Sequence, residues 1–209
     1  MRYGDSLFVV LKPARYLDEP ERVELGEACI FVGEDFVDTV RHGEVPALDE
    51  VHRRLESEPE LLRRGSRVIL HAIMNRVVDD YGPVVEGLGT EIEEAEAEVF
   101  GANSSVSRRI YELSREVIEF QRVTRPLAGA LKRLVKSDEV EIALKVRRYL
   151  HYIYDHVLRV TEQVESFHEM LSNVLIVNLT LVSVRQNDQT KKISAWAAIL
   201  IVPTIITGI

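Results

Sequence analysis

The sequence predicts an α+β cytoplasmic domain, in which short strands are packed by long helices, with a very long stalk helix continuing into a transmembrane helix. Three observations predict it. The first 45 residues hold short apolar runs separated by turn residues. No Gly or Pro occurs between Ala130 and Val202. The last seventeen residues, Ile193 to Ile209, carry no charged side chain and follow directly on Lys191 and Lys192.

The elements follow in order. Leu7-Phe8-Val9-Val10-Leu11 reads as a strand ended by Pro13. Ala28 to Val32 and Phe36 to Val40 flank Gly33-Glu34-Asp35, which predicts a hairpin. Three such strands do not close a core alone, so either helices cover them or further strands precede Met1. Asp49 to Glu58 predicts a short charged helix. Ser66 is placed as the N-cap of a long helix reaching Phe100, kinked at Gly82-Pro83 and ended by Gly101 and Asn103. A second long helix is expected from Ser105 to about Lys136, interrupted at Pro126. Asp138 and Glu141 resemble a capping box for a third.

That third helix dominates. Leu150, Ile153, Val157, Val160, Val164, Phe167, Leu171 and Val174 alternate by threes and fours, which makes a heptad seam. Run to the chain end it would reach roughly 100 Å at 1.5 Å per residue. So small a domain cannot cover such a rod, and its seam is expected to meet chain neighbours and further copies. Leu175 to Val182 is apolar nearly all round, which predicts burial on every side. Asn178 continues the register, either to fix oligomer state or face a wet axis, or as a tolerated core amide. The units expected are a strand-rich part at 1–64, two long helices at 65–137, the stalk at 138–192 and a partial transmembrane helix at 193–209.

Composition narrows the classes. The net charge of −8 and the lack of a basic patch exclude a nucleic-acid binder. One cysteine, Cys29, builds neither a disulfide framework nor a thiolate metal site and is expected to be a small buried hydrophobe. The start, MRYGDSLFVVL, lacks the apolar core of a signal peptide. Six scattered histidines form no metal-ligand spacing, and no phosphate loop or nucleophile elbow occurs, so no enzyme activity and no small-molecule substrate are expected. The stretch between Val77 and Ser107 holds eight acidic residues and no Lys or Arg. It is either a solvated face or a device that concentrates cations.

The tail carries the functional signal. As a helix, Ile193 to Ile209 would be about 26 Å long against a hydrocarbon core of about 30 Å. The flanking lysines place the amino-terminal bulk on the cytoplasmic side of the inner or plasma membrane. One helical face gathers Asn187, Thr190, Ser194, Ala197, Ile201, Thr204 and Gly208, mostly small or polar. The other gathers Trp196, Ile199, Leu200, Val202 and Ile206, all bulky. Such sorting fits a helix lining a pore or a close-packed face without one, and the pattern alone leaves both open. A plain tail anchor on a coiled-coil scaffold, the competitor without transport, has no need of it.

KKISAWAAILIVPTIITGI resembles the first transmembrane helix of the CorA family of magnesium transporters, in which Pro-Thr and Gly-Ile run into Tyr-Gly-Met-Asn. Further pieces resemble the family in order: LFVVLKPARY at 7–16, VVDDY at 77–81, Arg125-Pro126-Leu127, Tyr154-Asp155-His156 and Glu162 to Phe167. The resemblance implies a homopentamer in the lipid bilayer that carries Mg²⁺ or Co²⁺, with Mg²⁺ also a regulator. A zinc-transporting relative of the same superfamily shares the architecture. The resemblance puts Asn187 at a polar ring near the cytoplasmic mouth. Thr190 and Ile193 fall on the narrow part, with Ile201 and Gly208 further along. Lys191 and Lys192 match a basic collar. Asp79 matches a secondary cytoplasmic metal position. Tyr152 stands where some members carry a regulatory aspartate. The Gly-Met-Asn signature and a second crossing fall beyond Ile209.

Overall fold

The computed structural model describes residues 2–3, 6–43, 46–63, 65–101, 106–136 and 144–207, the side chains of 2–3, 46–47, 61, 144–147 and 198–207 excepted. Six strands precede six helices among them. The strands are β1 (Arg2–Tyr3), β2 (Ser6–Leu11), β3 (Ala14–Leu17), β4 (Arg22–Leu25), β5 (Glu27–Val32) and β6 (Val37–His42). The helices are α1 (Pro46–Ser57), α2 (Pro59–Leu62), α3 (Ser66–Asp79), α4 (Tyr81–Val99), α5 (Val106–Lys136) and α6 (Leu144–Thr207).

An antiparallel sheet runs in the order β1-β2-β5-β6. Alternation decides its faces. Ala28, Ile30 and Val32 of β5 are buried toward the helices, and they pair with Leu11, Val9 and Leu7 of β2. Cys29 and Phe31 point the other way, so Cys29 is only half-buried rather than a core hydrophobe. The expected hairpin joins β5 to β6, closed by Gly33 N–H donating to the Phe36 carbonyl at 2.9 Å. A β-carbon at Gly33 would come within 2.2 Å of the exposed Phe36 ring, so glycine lets that ring lie over the turn.

A second hairpin, β3–β4, was not anticipated. Its strands, ARYL and RVEL, are short and carry charge, so neither makes an apolar run. It is held by Arg15 Nε donating to Glu24 Oε2 at 2.5 Å and by Gly26 N–H donating to the Pro13 carbonyl at 2.9 Å. The Tyr16 ring lies on Gly87 of α4, where a β-carbon would sit 2.6 Å from it. Gly87→Val is therefore expected to lift the hairpin off α4 and destabilise the fold by about 1–3 kcal/mol. A urea midpoint lower than that of the parent would show it.

Three helix expectations need correction. Ser66 does not cap α3: its hydroxyl is buried and donates to the Gly33 carbonyl at 2.6 Å, and Gly65 occupies the cap position. Its hydroxyl thus ties the helix start to the β5–β6 turn. The expected kink falls at Asp80, a one-residue interruption that keeps helical dihedrals and its N–H bond to the Arg76 carbonyl, because Pro83 has no N–H and its ring crowds the Asp79 carbonyl. Pro126, in contrast, sits inside an unbroken α5. Arg122 and Pro126 are both exposed, so water can take the carbonyl that Pro126 leaves unpaired. The Asp138–Glu141 capping box, Asn103 and Ser105 lie outside the described residues.

Helix α6 spans 64 residues, roughly 96 Å at 1.5 Å per residue. Ile153, Val157, Val160, Val164, Phe167, Leu171 and Val174 are all buried against α3, α4 and α5. The predicted seam is therefore the seam of the domain itself. Tyr81 centres the packing: it is fully buried, lies edge-on to Phe120 at 5.3 Å, and donates its hydroxyl to the Lys12 carbonyl at 2.7 Å.

Candidate functional site

The candidate site is the lower part of α6. Below Val174 the seam continues with Asn178, Leu181 and Arg185: Asn178 meets Ser107 of α5, Leu181 packs on the core, and Arg185 meets Gly101 just after α4. Asn178 is 6% exposed and donates to Ser107 Oγ at 2.7 Å. It is a satisfied amide between two helices of one chain, so it does not face a wet axis. Arg185 Nη2 donates to the Gly101 carbonyl at 2.9 Å. Gly101 follows the last turn of α4, whose unpaired carbonyls attract a cation. These two bonds fix the α4–α5 tip against the root of the charge-free run.

The other sides of α6 are open. Ile176 is 62%, Leu179 58% and Ile193 70% exposed, and Leu175, Val177 and Val182 stand out as well. The all-round burial expected for 175–182 is thus absent within one chain. Only one stripe of the rod has a domain to pack on, and the remaining apolar surface is unpartnered. Isolated chains rarely leave so long an apolar surface in water. Among the described residues, α6 is also the one helix long and apolar enough to cross a membrane.

At 100° per residue the open face has a definite position. Taking Val174 as pointing into the domain, Ile176, Leu179, Ser183, Asn187, Thr190, Ser194 and Ala197 lie within about 40° of the diametrically opposite side. Asn187, Thr190, Ile193 and Ala197 are exposed. Ile193 sits at the edge of that face. Thr190 donates its hydroxyl to the Gln186 carbonyl at 2.9 Å, which leaves the oxygen's lone pairs outward. Lys191 reaches Asp188 at 3.9 Å, and Lys192 is exposed beside it. Ile201 and Thr204 continue the helix, their side chains outside the described set, and Gly208 lies outside the described residues altogether.

Asp79 lies elsewhere, at the α3–α6 contact. Asn75 Nδ2 donates to its Oδ2 at 2.6 Å, and His156 Nδ1 stands 3.5 Å from its Oδ1. Among the described residues no three His, Cys, Asp or Glu side chains converge on a metal position. Tyr152 is exposed and its ring centroid lies 6.4 Å from that of His156.

The acidic stretch is divided between an exposed face, at Glu86, Glu93 and Glu96, and paired or buried acids. Arg109 takes Glu94 at 2.6 Å and Glu98 at 2.8 Å, and Arg76 takes Asp80 at 2.9 Å. Glu91 is 7% exposed and accepts the Tyr16 hydroxyl at 2.7 Å. Burial holds the Glu91 carboxyl above its usual range, and burial does the same to Glu116, which accepts the Val23 N–H at 3.0 Å. Folded chain therefore binds these protons more tightly than unfolded chain. The associated stability is full below the ordinary carboxylate value of about 4.3 and is lost as pH rises through the raised values. Glu91→Gln keeps an acceptor for Tyr16 and removes the charge. It is expected to melt higher than the parent at pH 7–8 and to flatten the fall in Tm above pH 5. An unchanged Tm–pH profile would contradict that burial effect.

Sequence comparison places this geometry among known proteins. The family described as CorA-like Mg²⁺ transporter protein matches residues 1–209. YfjQ of Bacillus subtilis is 30% identical over 190 residues, covering 90% of this chain and 60% of that protein. The cobalt/magnesium transport protein CorA of Thermotoga maritima is 25% identical over 209 residues, covering 99% of this chain and 60% of its own length. This chain thus spans only 60% of either relative. The complete CorA magnesium transporter structure from Methanocaldococcus jannaschii shares the fold with a TM-score of 0.82 at 20% identity, over 98% of this chain and 65% of that one. The ZntB cytoplasmic domain from Vibrio parahaemolyticus gives 0.65 at 14% identity, over 91% and 72%. With the whole chain matched, the protein belongs to the CorA-like Mg²⁺ transporter family.

Proposed function

We propose that this chain is the cytoplasmic and pore-helix portion of a subunit of a divalent-cation channel, assembled as a homopentamer in the cell's inner or plasma membrane with its amino-terminal bulk in the cytoplasm. Mg²⁺ is the proposed cargo. One observation carries the reading. The face of α6 turned directly away from its own domain is the face on which Asn187, Thr190, Ser194 and Ala197 follow one another. A ring of copies, each packing its domain outward, brings those faces to a common axis.

The chemistry of the lining suits the cargo. Mg²⁺ gives up water reluctantly and demands octahedral oxygen geometry. Neutral amide and hydroxyl oxygens can touch the hydrated ion without stripping it, whereas a carboxylate ring would hold it. No thiolate or imidazole lies on this face, which favours a hard cation over zinc. Ile193 lies about 80° off the axis-facing direction, as far to one side as Lys191 is to the other, and so flanks the path with an apolar side chain. Lys191 and Lys192 project to the sides, where their stems can snorkel to the headgroups. The membrane potential supplies about 2.3 kcal/mol per charge per 100 mV, and twice that for a divalent ion moving inward. Regulation by Mg²⁺ at Asp79 would hold the ion through this one carboxylate and its retained waters.

The test is uptake by cells lacking other magnesium transport, carrying the full-length protein. Mg²⁺ or Co²⁺ entry that exceeds Zn²⁺ entry is the expected result. A protein that assembles but passes none of the three would leave a membrane-anchored scaffold as the reading.

A further inference from the structure

A cavity of about 170 Å³ opens between the end of α4 and α6, walled by Val99, Phe100, Met170, Val174 and Val177, with the polar side chains of Glu96 and Asn173 also lining it. Phe100 is 70% exposed although it forms one wall. Apolar cavities of about 150 Å³ accept a benzene ring, so this one has room for a large aliphatic side chain. Its place on α6 is informative. With Val174 pointing into the domain, Val177 and Asn173 lie about 60–100° to one side. Leu175 and Val182 lie about 80–100° to the other, and both are 39% exposed. One flank of the rod therefore carries a hollow and the opposite flank carries a knob.

We propose that this hollow is a socket for Leu175 of the adjacent copy, and that the pair forms the lateral contact of the ring. The inference rests on the reading that the Asn187–Thr190–Ala197 face lines the axis. Two geometric facts favour a second copy as the occupant. In a closed ring each copy presents one flank to one neighbour and the opposite flank to the other, so a knob and a hollow on opposite flanks meet in every interface. Rotation about an axis along α6 involves no translation, so contacting groups must sit at equal height. Leu175 lies between Met170 and Val177 in height, level with the hollow. The cationic stripe of Lys132, Arg133 and Lys136 at the end of α5 fails this condition against the acidic residues of α4. Glu98 pairs with Arg109, so α5 climbs from that level and carries the stripe above Glu86.

The socket is distinct from the two bonds that fix the α4–α5 tip within one chain. It would use the tip twice, inward through Gly101 and Ser107 and sideways through Phe100.

The test uses the full-length protein in native membranes, with Cys29→Ser as background. Phe100→Cys and Leu175→Cys are combined and oxidised, and products are separated without reductant. Within one chain the two positions face opposite flanks and cannot bridge. The expected result is a ladder of covalent multimers up to the ring size, with none from either single variant. Thr190→Cys alone reports the axis in parallel, by forming dimers. No ladder from the pair, in membranes where Thr190→Cys dimers form, would overturn the socket and leave the axis reading standing. Dimers from Leu175→Cys alone would also overturn it, since the knob would then meet its own counterpart. Absence of both products would overturn the axis reading and the socket together. As a second variant, Leu175→Asp is expected to shift detergent-solubilised protein from the ring toward smaller species, and an undiminished ring would count against the socket.

Discussion

Thr190→Lys in the full-length protein is expected to reduce divalent-cation influx by about 10³–10⁴-fold. The magnitude follows from placing five added charges around a common axis. At about 7 Å and the permittivity of water, each raises the energy of a divalent ion by about 1.2 kcal/mol, so five raise it by about 6 kcal/mol. Every tenfold in rate corresponds to about 1.4 kcal/mol, and some loss is allowed for lysines that swing toward solvent. The paired control is already in the chain. Lys191 and Lys192 are natural residues one and two steps further along α6, about 100° and 200° around it. Lys192→Gln should therefore leave influx within about threefold of the parent, because its charge never faced the path. Equal effects of the two substitutions would mean that position 190 has no privileged direction.

The second large effect concerns the domain that holds the rod. Tyr81→Ala is expected to cost about 4–6 kcal/mol, enough to consume much of a typical domain's stability. Removing a fully buried aromatic ring leaves a cavity beside Phe120, worth about 3–5 kcal/mol. The lost hydroxyl also leaves the Lys12 carbonyl without the bond that ties the end of β2 to the start of α4, a further loss of about 1 kcal/mol. Tyr81→Phe separates the two parts. It keeps the ring and should cost only about 1 kcal/mol. Denaturant melts of the detergent-solubilised protein measure both. A Tyr81→Ala midpoint indistinguishable from that of Tyr81→Phe would show that the ring is not the keystone.

What the sequence revealed follows its periodicities. The 3-4 spacing from Ile153 to Val174 is long and regular, and it is the buried seam residue for residue. The alternation in β5 and the turn at Gly33 likewise gave the central hairpin. What was not legible depends on contacts distant in sequence. The β3–β4 hairpin carries no apolar run and owes its place to Tyr16 reaching Gly87 and Glu91, some seventy residues away. Ser66 matches a cap in composition, yet its hydroxyl is claimed by a turn thirty-three residues earlier. Pro126 shows the limit of a local rule, since its exposed carbonyl partner position lets water replace the missing bond. For the candidate site, the sorting of small and polar residues on one face was visible in the sequence. The direction of that face was not. It became definite only when Val174, Asn178 and Arg185 were seen to hold the opposite side against the domain.

The exposed apolar surface between Leu175 and Val184 needs a partner in either reading of the tail, because a coiled-coil scaffold and a ring of copies both bury it. Only the ring has a use for the small and polar face from Asn187 to Ala197 below it.

The central claim is that the side of α6 opposite its seam lines a cation path. The most direct measurement is cysteine scanning from 187 to 197 in the full-length, Cys29→Ser protein, with Mg²⁺ influx followed before and after a small cationic thiol reagent. The account predicts block at 187, 190, 194 and 197, with 189, 192 and 196 largely unaffected. Block with no helical period, or block confined to the opposite residues, would contradict it.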